Sequence, residues 1–72
     1  MNKNEIGLNA EKVWHLLGNY DRWDYSALKN KSGLKDAELG AAIGWLARED
    51  KIMLYQDSGK LYVFLGVNVF IG

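Results

Sequence analysis

The stretch DAELGAAIGWLAREDKIMLYQDSGKLYVFL, residues 36–65, decides the fold, because its apolar residues change from a helical to a strand-like spacing near Ile52. One helical face carries Leu39, Ala42, Ile43 and Leu46. Trp45 flanks that face and is expected to seal the joint between this helix and the strands. After Ile52 the residues alternate, and Asp57-Ser58-Gly59-Lys60 is typical of a tight hairpin turn. The stretch therefore predicts a helix from about Asp36 to Arg48 or Glu49, followed by a β-hairpin.

A first helix is predicted to follow a disordered tail of residues 1–5. Asn9 is a suitable N-cap, and Glu11 lies in the first turn, where the helix dipole favours an acid. Apolar residues follow at helical spacing, and Gly18-Asn19 tolerates the left-handed conformation that ends helices. We therefore expect this helix to extend over residues 10–17.

A second helix is expected between a short extended piece at residues 22–25 and Gly33. Asp24 or Ser26 can cap it, Gly33 ends it, and Leu34 in the following turn is expected to be buried. The order is then helix, short strand, helix, glycine-containing turn, helix and hairpin. This is the topology of a winged helix-turn-helix domain, a mostly α fold with a small β wing (α+β) and a short antiparallel sheet.

Several segments also resemble a known protein family. They are IGLNAEKVWHLL (residues 6–17), AAIGWLARED (residues 41–50), YVFLGVNVF (residues 62–70) and Gly33-Leu34 in the turn. These segments are similar to a family of small, stand-alone bacterial winged-helix proteins of uncharacterised function. The similarity covers residues 6–71, which implies a single winged helix-turn-helix domain over that range. It implies no particular activity.

Composition limits the classes of protein to consider. The chain has 72 residues, and its nine Lys/Arg balance nine Asp/Glu to give a formal net charge of zero. An apolar fraction of 49% predicts a folded chain, and this length predicts one domain. With no Cys, disulfides and thiolate metal sites are excluded, and we expect a cytoplasmic protein. No stretch approaches the roughly 20 apolar residues of a membrane span, so no membrane partner is expected.

Catalytic chemistry has little support in this sequence. His15, the only histidine, lies on the polar face of the first predicted helix, and no residue nearby in sequence pairs with it for catalysis. Each serine, at positions Ser26, Ser32 and Ser58, lies where a cap or turn favours that residue. The sequence contains no glycine-rich phosphate loop and no cluster of metal ligands. We therefore expect a non-enzymatic protein that uses neither a metal nor a cofactor.

Charge distribution sets the expectation for nucleic-acid binding. In this fold the third helix normally enters the major groove, yet residues 36–50 carry four acids and one base. Residues 25–35 instead carry three lysines and no acid. The candidate phosphate ligands around the turn and wing are Lys29, Lys31, Ser32, Lys35 and Lys60. Because good binders make roughly 6–10 phosphate contacts, we expect at most weak DNA binding without sequence preference. The first hypothesis is therefore a winged-helix module that is linked to transcription or nucleic-acid binding and acts as a dimer.

Two surfaces support the alternative hypothesis of protein–protein contact or homodimerisation without DNA binding. The outer face of the third helix is a strip of small residues, Ala37, Gly40, Ala41 and Gly44. Either a partner packs there, or Gly44 makes room for the wing or for Trp14. The C-terminal strands are apolar on both faces, and a homodimer would cover their aromatic side chains, Tyr55, Tyr62, Phe64 and Phe70. Alternatively, the last strand folds back across the helices.

Overall fold

A computed structural model describes residues 1–19 and 22–66 of the chain. Its elements are α1 (Lys3–Leu16), a 3-10 turn (Leu17–Asn19), β1 (Trp23–Asp24), α2 (Tyr25–Ser32), α3 (Asp36–Arg48), β2 (Ile52–Asp57) and β3 (Lys60–Leu65). The three strands form one antiparallel sheet in the order β1-β3-β2. Three helices with a small antiparallel sheet confirm the predicted winged helix-turn-helix fold.

α1 begins at Lys3, so the predicted N-cap at Asn9 is wrong. Asn2 is the N-cap. Its side-chain oxygen accepts a hydrogen bond from the backbone N–H of Glu5 at 2.9 Å, and the Glu5 carboxylate accepts one from the backbone N–H of Asn2 at 3.0 Å. This reciprocal capping box provides partners for two backbone amides at the start of the helix. Residues 3–5, which the sequence assigns to a disordered tail, form the first turn of α1.

The core is built around the predicted inward face of α3. Its four apolar residues are all buried and pack with residues from the other elements: Ala10, Val13, Leu17, Leu28, Leu34, Ile52 and Val63. Val63, at the middle of β3, is fully buried, so one face of the sheet covers the helices. The predicted burial of Leu34 in the turn after α2 is confirmed.

Local capping defines both ends of α2. The Asp24 carboxylate accepts from the Ala27 amide at 2.7 Å, so Asp24, not Ser26, is the N-cap. At the other end Gly33 has a φ of 73°, a left-handed conformation that glycine adopts without steric cost. The second helix therefore starts and stops as the sequence predicts.

The wing is a hairpin closed by a two-residue turn. Ser58 and Gly59 both have positive φ, 52° and 81°, as the tight turn favoured by twisted hairpins requires. Pairing then extends from Asp57 opposite Lys60 to Ile52 opposite Leu65. A Cβ at Gly66 would lie 3.2 Å from the backbone oxygen of Asp50, so a side chain there would crowd the chain entering β2.

The start of α1 can be tested by two asparagine substitutions. We expect Asn2→Ala to lower the free energy of unfolding by about 1 kcal/mol, because it removes the cap of α1. Asn9→Ala should raise that free energy by about 0.5 kcal/mol, because alanine has the higher helix propensity inside a helix. Urea unfolding of both variants measures the difference. A loss of stability in Asn9→Ala with none in Asn2→Ala would restore the later helix start.

Candidate nucleic-acid interface

The turn of the wing lies beside the N-terminus of α2. Gly59, Lys60 and Leu61 line one side of a small cleft of about 230 Å³, and residues 24–26 line the other. This arrangement follows from the sheet order, because β1 pairs with β3 and leads directly into α2. Lys60 is exposed at this edge of the molecule.

Asp36 joins the start of α2 to the start of α3. Its carboxylate accepts a hydrogen bond of 2.7 Å from the Tyr25 hydroxyl and lies 3.0 Å from the Lys29 ammonium nitrogen. Lys35 is the N-cap residue of α3 and immediately precedes Asp36. The wing turn and Tyr25 thus line the same cleft, and Tyr25 and Lys29 both contact Asp36 at the start of α3. We call the set Lys29, Lys31, Lys35 and Lys60 the turn–wing surface.

The same contacts shift two pKa values. The hydrogen bond from Tyr25, and secondly the one from Lys29, holds the pKa of Asp36 below its ordinary value of 3.8. The Tyr25 pKa is raised above 10.0, chiefly because its hydroxyl donates to that carboxylate. Asp36 is therefore ionised at neutral pH and places a negative charge within the turn–wing surface.

The lysines of this surface are not equivalent. Lys29 is already paired with Asp36. Lys31, Lys35 and Lys60 are exposed and form no ion pair within residues 1–19 and 22–66. Three cations are thus available for phosphate where the sequence counts four.

Ser32 must be removed from the candidate phosphate ligands. It is only 2% exposed, and its hydroxyl donates to the Lys29 carbonyl and accepts from the Leu34 amide, both at 3.2 Å. The hydroxyl therefore stabilises the turn between α2 and α3. Ser32 lies one helical turn after the buried Leu28, and this spacing was the signal that could have revealed its burial.

The outer face of α3 carries no base-reading side chain near its N-terminus. Ala37, Gly40 and Gly44 are exposed and Ala41 is partly buried, as predicted for the small-residue strip. A Cβ at Gly40 or Gly44 would meet no other atom within 4 Å. The hypothesis that Gly44 makes room for Trp14 or the wing is therefore wrong.

The Lys35 side chain forms no capping hydrogen bond with the first turn of α3.

Aromatic residues cover part of the outer face of the sheet. Tyr55 and Tyr62 lie opposite each other on β2 and β3, with ring centroids 6.4 Å apart. The Arg22 guanidinium lies 5.3 Å from the Tyr62 ring centroid, a cation–π contact that the sequence did not suggest. Tyr62 and Phe64 are only half-buried, whereas Phe70 lies outside the described residues.

Trp45 packs toward α1. A Cβ at Gly7 would lie 3.7 Å from its ring. Trp45 and Trp14 line a groove of about 800 Å³ between α1 and the end of α3. The Lys51 ammonium lies 5.0 Å from the Trp14 ring centroid at the same groove.

Membrane-spanning helices and metal-binding clusters are both absent from the described part of the chain. None of its helices is both long and apolar enough to cross a membrane. Within residues 1–19 and 22–66, no group of three or more His, Asp or Glu side chains is arranged to hold a metal ion.

Helix order, turn and wing together define a winged helix-turn-helix protein. The chain belongs to the family described as "Winged helix-turn-helix domain (DUF2582)", which matches residues 1–65. Uncharacterised protein MJ1608 of Methanocaldococcus jannaschii is 38% identical over 63 residues, covering 85% of this chain and 90% of that protein.

Two solved structures share the fold. Protein BT2368 from Bacteroides thetaiotaomicron has a TM-score of 0.84 and 32% identity, covering all of this chain and 88% of that one. HlyU from Vibrio cholerae has a TM-score of 0.69 over 96% of this chain and 85% of its own, at 19% identity. The second similarity concerns the fold alone.

The role of Asp36 can be tested by its pH dependence. A carboxyl whose pKa is lowered by folding stabilises the folded state above its unfolded pKa, and that contribution disappears as the pH falls through the folded value. We therefore expect Asp36→Asn to be less stable than the parent at pH 7 and equally stable once Asp36 is protonated. Tyr25→Phe should reduce the difference. A stability gap that persists at the lowest pH would contradict this assignment.

Proposed function

We propose that this protein binds nucleic acid through phosphate contacts made by the turn–wing surface, without reading base sequence through α3. The supporting observation is the proximity of these parts: the wing turn and Tyr25 line one cleft, Tyr25 donates a hydrogen bond to Asp36, and Lys35 immediately precedes Asp36. In helix-turn-helix proteins this side of the domain faces the duplex. Lysines at such positions position the protein on the backbone but carry no sequence information.

The charges predict the strength of this binding. Three available lysines correspond to a slope of roughly −3 in log affinity against log salt concentration, far below that of strong binders. Asp36 lies among them and repels phosphate, since its lowered pKa keeps it ionised. We therefore propose weak binding that disappears at moderate salt. From its Cys-free composition, we further propose that the protein is cytoplasmic. Because its sequence carries no recognisable catalytic motif, we also propose that it acts without catalysis.

A charge-reversal experiment tests this function. We expect Lys35→Glu/Lys60→Glu to abolish the binding of a mixed-sequence duplex at low salt, as measured by fluorescence anisotropy. The matched control, Lys3→Glu/Lys12→Glu, changes the net charge equally on α1 and should retain most of the affinity. Equal losses in the two variants would show that only net charge matters, and unchanged affinity in the first would exclude the turn–wing surface.

Asp36→Asn provides a gain-of-function readout of the same surface. The substitution removes a negative charge and releases Lys29 from its ion pair at 3.0 Å. Duplex affinity should therefore rise, and the salt slope should steepen by roughly one unit. Amide-proton NMR during the titration should show the changes clustered at residues 29–36 and at Lys60.

Protein–protein contact through α3 is the second candidate function. It is supported by Gly40 and Gly44, which lie in a helix, face open space and leave a flat strip that another backbone could approach closely. Glycine inside a helix is less stable than alanine, and no described residue outside the helix packs above these two glycines to compensate. A partner packed on the strip is such a compensation.

The open strip leads to a stability prediction. We expect Gly40→Ala and Gly44→Ala each to raise the free energy of unfolding by about 0.5–1 kcal/mol, because alanine restricts the unfolded chain and meets no atom in the folded one. Thermal and urea unfolding measure this change. Gly66→Ala is the contrasting control and should destabilise, because its Cβ would crowd the Asp50 backbone. Destabilisation by Gly40→Ala would mean that the strip is already packed.

A further inference from the structure

β2 forms one edge of the sheet. In the order β1-β3-β2, it pairs with β3 on one side, and no other described strand pairs with its second side. The turn makes Asp57 and Lys60 a hydrogen-bonded pair, so odd-numbered residues of β2 direct their amides and carbonyls toward β3. The Gly66 amide, bonded to the Lys51 carbonyl at 3.0 Å, continues that alternation. The amides and carbonyls of Ile52, Leu54 and Gln56 therefore face outward.

Within the described part of the chain, this edge lacks the features that protect free strand edges. Met53, Leu54 and Tyr55 are consecutive, and their exposed fractions are 46%, 46% and 49%. Residues 52–56 contain no charge and no proline, and the positive φ values flank the strand at Asp50 and Ser58 instead of interrupting it. An apolar, regular and uncharged edge is a template for another strand. An additional strand would pair the outward groups and cover these three side chains.

The sequence of β2 is complementary to itself. In an antiparallel pair centred on Leu54, Leu54 faces Leu54 of the second copy, Met53 faces Tyr55, and Lys51 faces Asp57 at both ends. The outward-facing residues Ile52, Leu54 and Gln56 then become the hydrogen-bonded ones. Self-complementarity about a twofold axis is what a symmetric dimer interface requires.

The neighbouring registers are less favourable. In such a pair, the outward-facing residues of one copy must lie opposite outward-facing residues of the other. Allowed registers therefore differ by two residues, which moves the twofold axis by one residue along β2. Centring on Tyr55 places Met53 opposite Asp57, and centring on Met53 places Glu49 opposite Asp57. Only the Leu54 centre pairs apolar residues with each other and opposite charges at the ends. To supply its charge, Lys51 must leave two solvent-accessible contacts of small net energy, with the Glu49 carboxylate at 3.6 Å and over the Trp14 ring at 5.0 Å.

We propose that two copies of this chain associate through the outer edges of β2 in this register, forming one continuous antiparallel sheet across the twofold axis. The association does not depend on nucleic-acid binding. It uses none of the four lysines of the turn–wing surface, so each proposal can fail without the other.

A charge-swap experiment tests both the dimer and its register. Lys51→Asp and Asp57→Lys should each weaken the dimer on the order of tenfold, because both ends then oppose like charges. The double variant Lys51→Asp/Asp57→Lys should restore the parent dissociation constant in sedimentation equilibrium. Within one chain these residues lie about 20 Å apart along β2, too far for mutual contact, so recovery requires a second copy.

Hydrogen exchange of the full chain distinguishes what occupies the edge. Protection of the Leu54 and Gln56 amides should rise with protein concentration, while the Tyr55 amide, bonded to β3, stays protected throughout. Protection of Leu54 that is independent of concentration would mean that the edge is covered within one chain and would overturn the proposal. A monomer at every accessible concentration, or a double variant as weak as the single ones, would also overturn it.

Discussion

The fold depends on the burial of a single apolar face of α3. Leu39, Ala42, Ile43 and Leu46 are all at or below 5% exposed and form the centre of the core. In a chain of 72 residues, the core is too small for other elements to replace this face. α1 and the sheet are arranged around it, and their positions then determine which other surfaces are left open. The small-residue strip is the opposite side of the same helix.

The Asp36 carboxylate has opposing effects on the fold and on the charge of the surface around it. Its carboxylate connects α2 with α3 through Tyr25 and Lys29, but the same charge lies where a helix-turn-helix protein approaches phosphate. Because the contact is exposed to solvent, the buried core, not this contact, supplies most of the stability. Under the proposed function, the position of Asp36 would therefore affect nucleic-acid affinity more directly than it affects the fold.

Sequence alone predicted the elements whose signals are local. α3 and the hairpin follow from two clear periods and from the Ser58-Gly59 turn, which needs positive φ at both residues. The start of α1 was missed although Asn2 and Glu5 have capping-box spacing, because the hydrophobic period becomes clear only from Ala10. In this case the local capping signal is more informative than the period.

Site features that depend on tertiary structure were not predictable. The Tyr25–Asp36 hydrogen bond joins residues 11 positions apart on different helices, and no spacing rule relates them. The exposed edge of β2 was missed for a similar reason: strand alternation predicts the faces of a sheet but not the strand order. The edge became identifiable only when β1 was seen to pair with β3.

Both proposals concern the small number of lysines that one chain has available for phosphate contacts. Among the described residues, three lysines of the turn–wing surface have no ion pair, fewer than the roughly 6–10 phosphate contacts typical of firm binding. β1, which leads into α2 and that surface, lies at the edge of the sheet opposite β2. Pairing through β2 would therefore leave the surface open in both copies and double the number of available lysines. The dimer would reach the lower end of that range without any basic residue on the outer face of α3 near its N-terminus. In such a dimer, association through the apolar edge of β2 would double the lysines available for phosphate and so offset the neutral net charge of each chain.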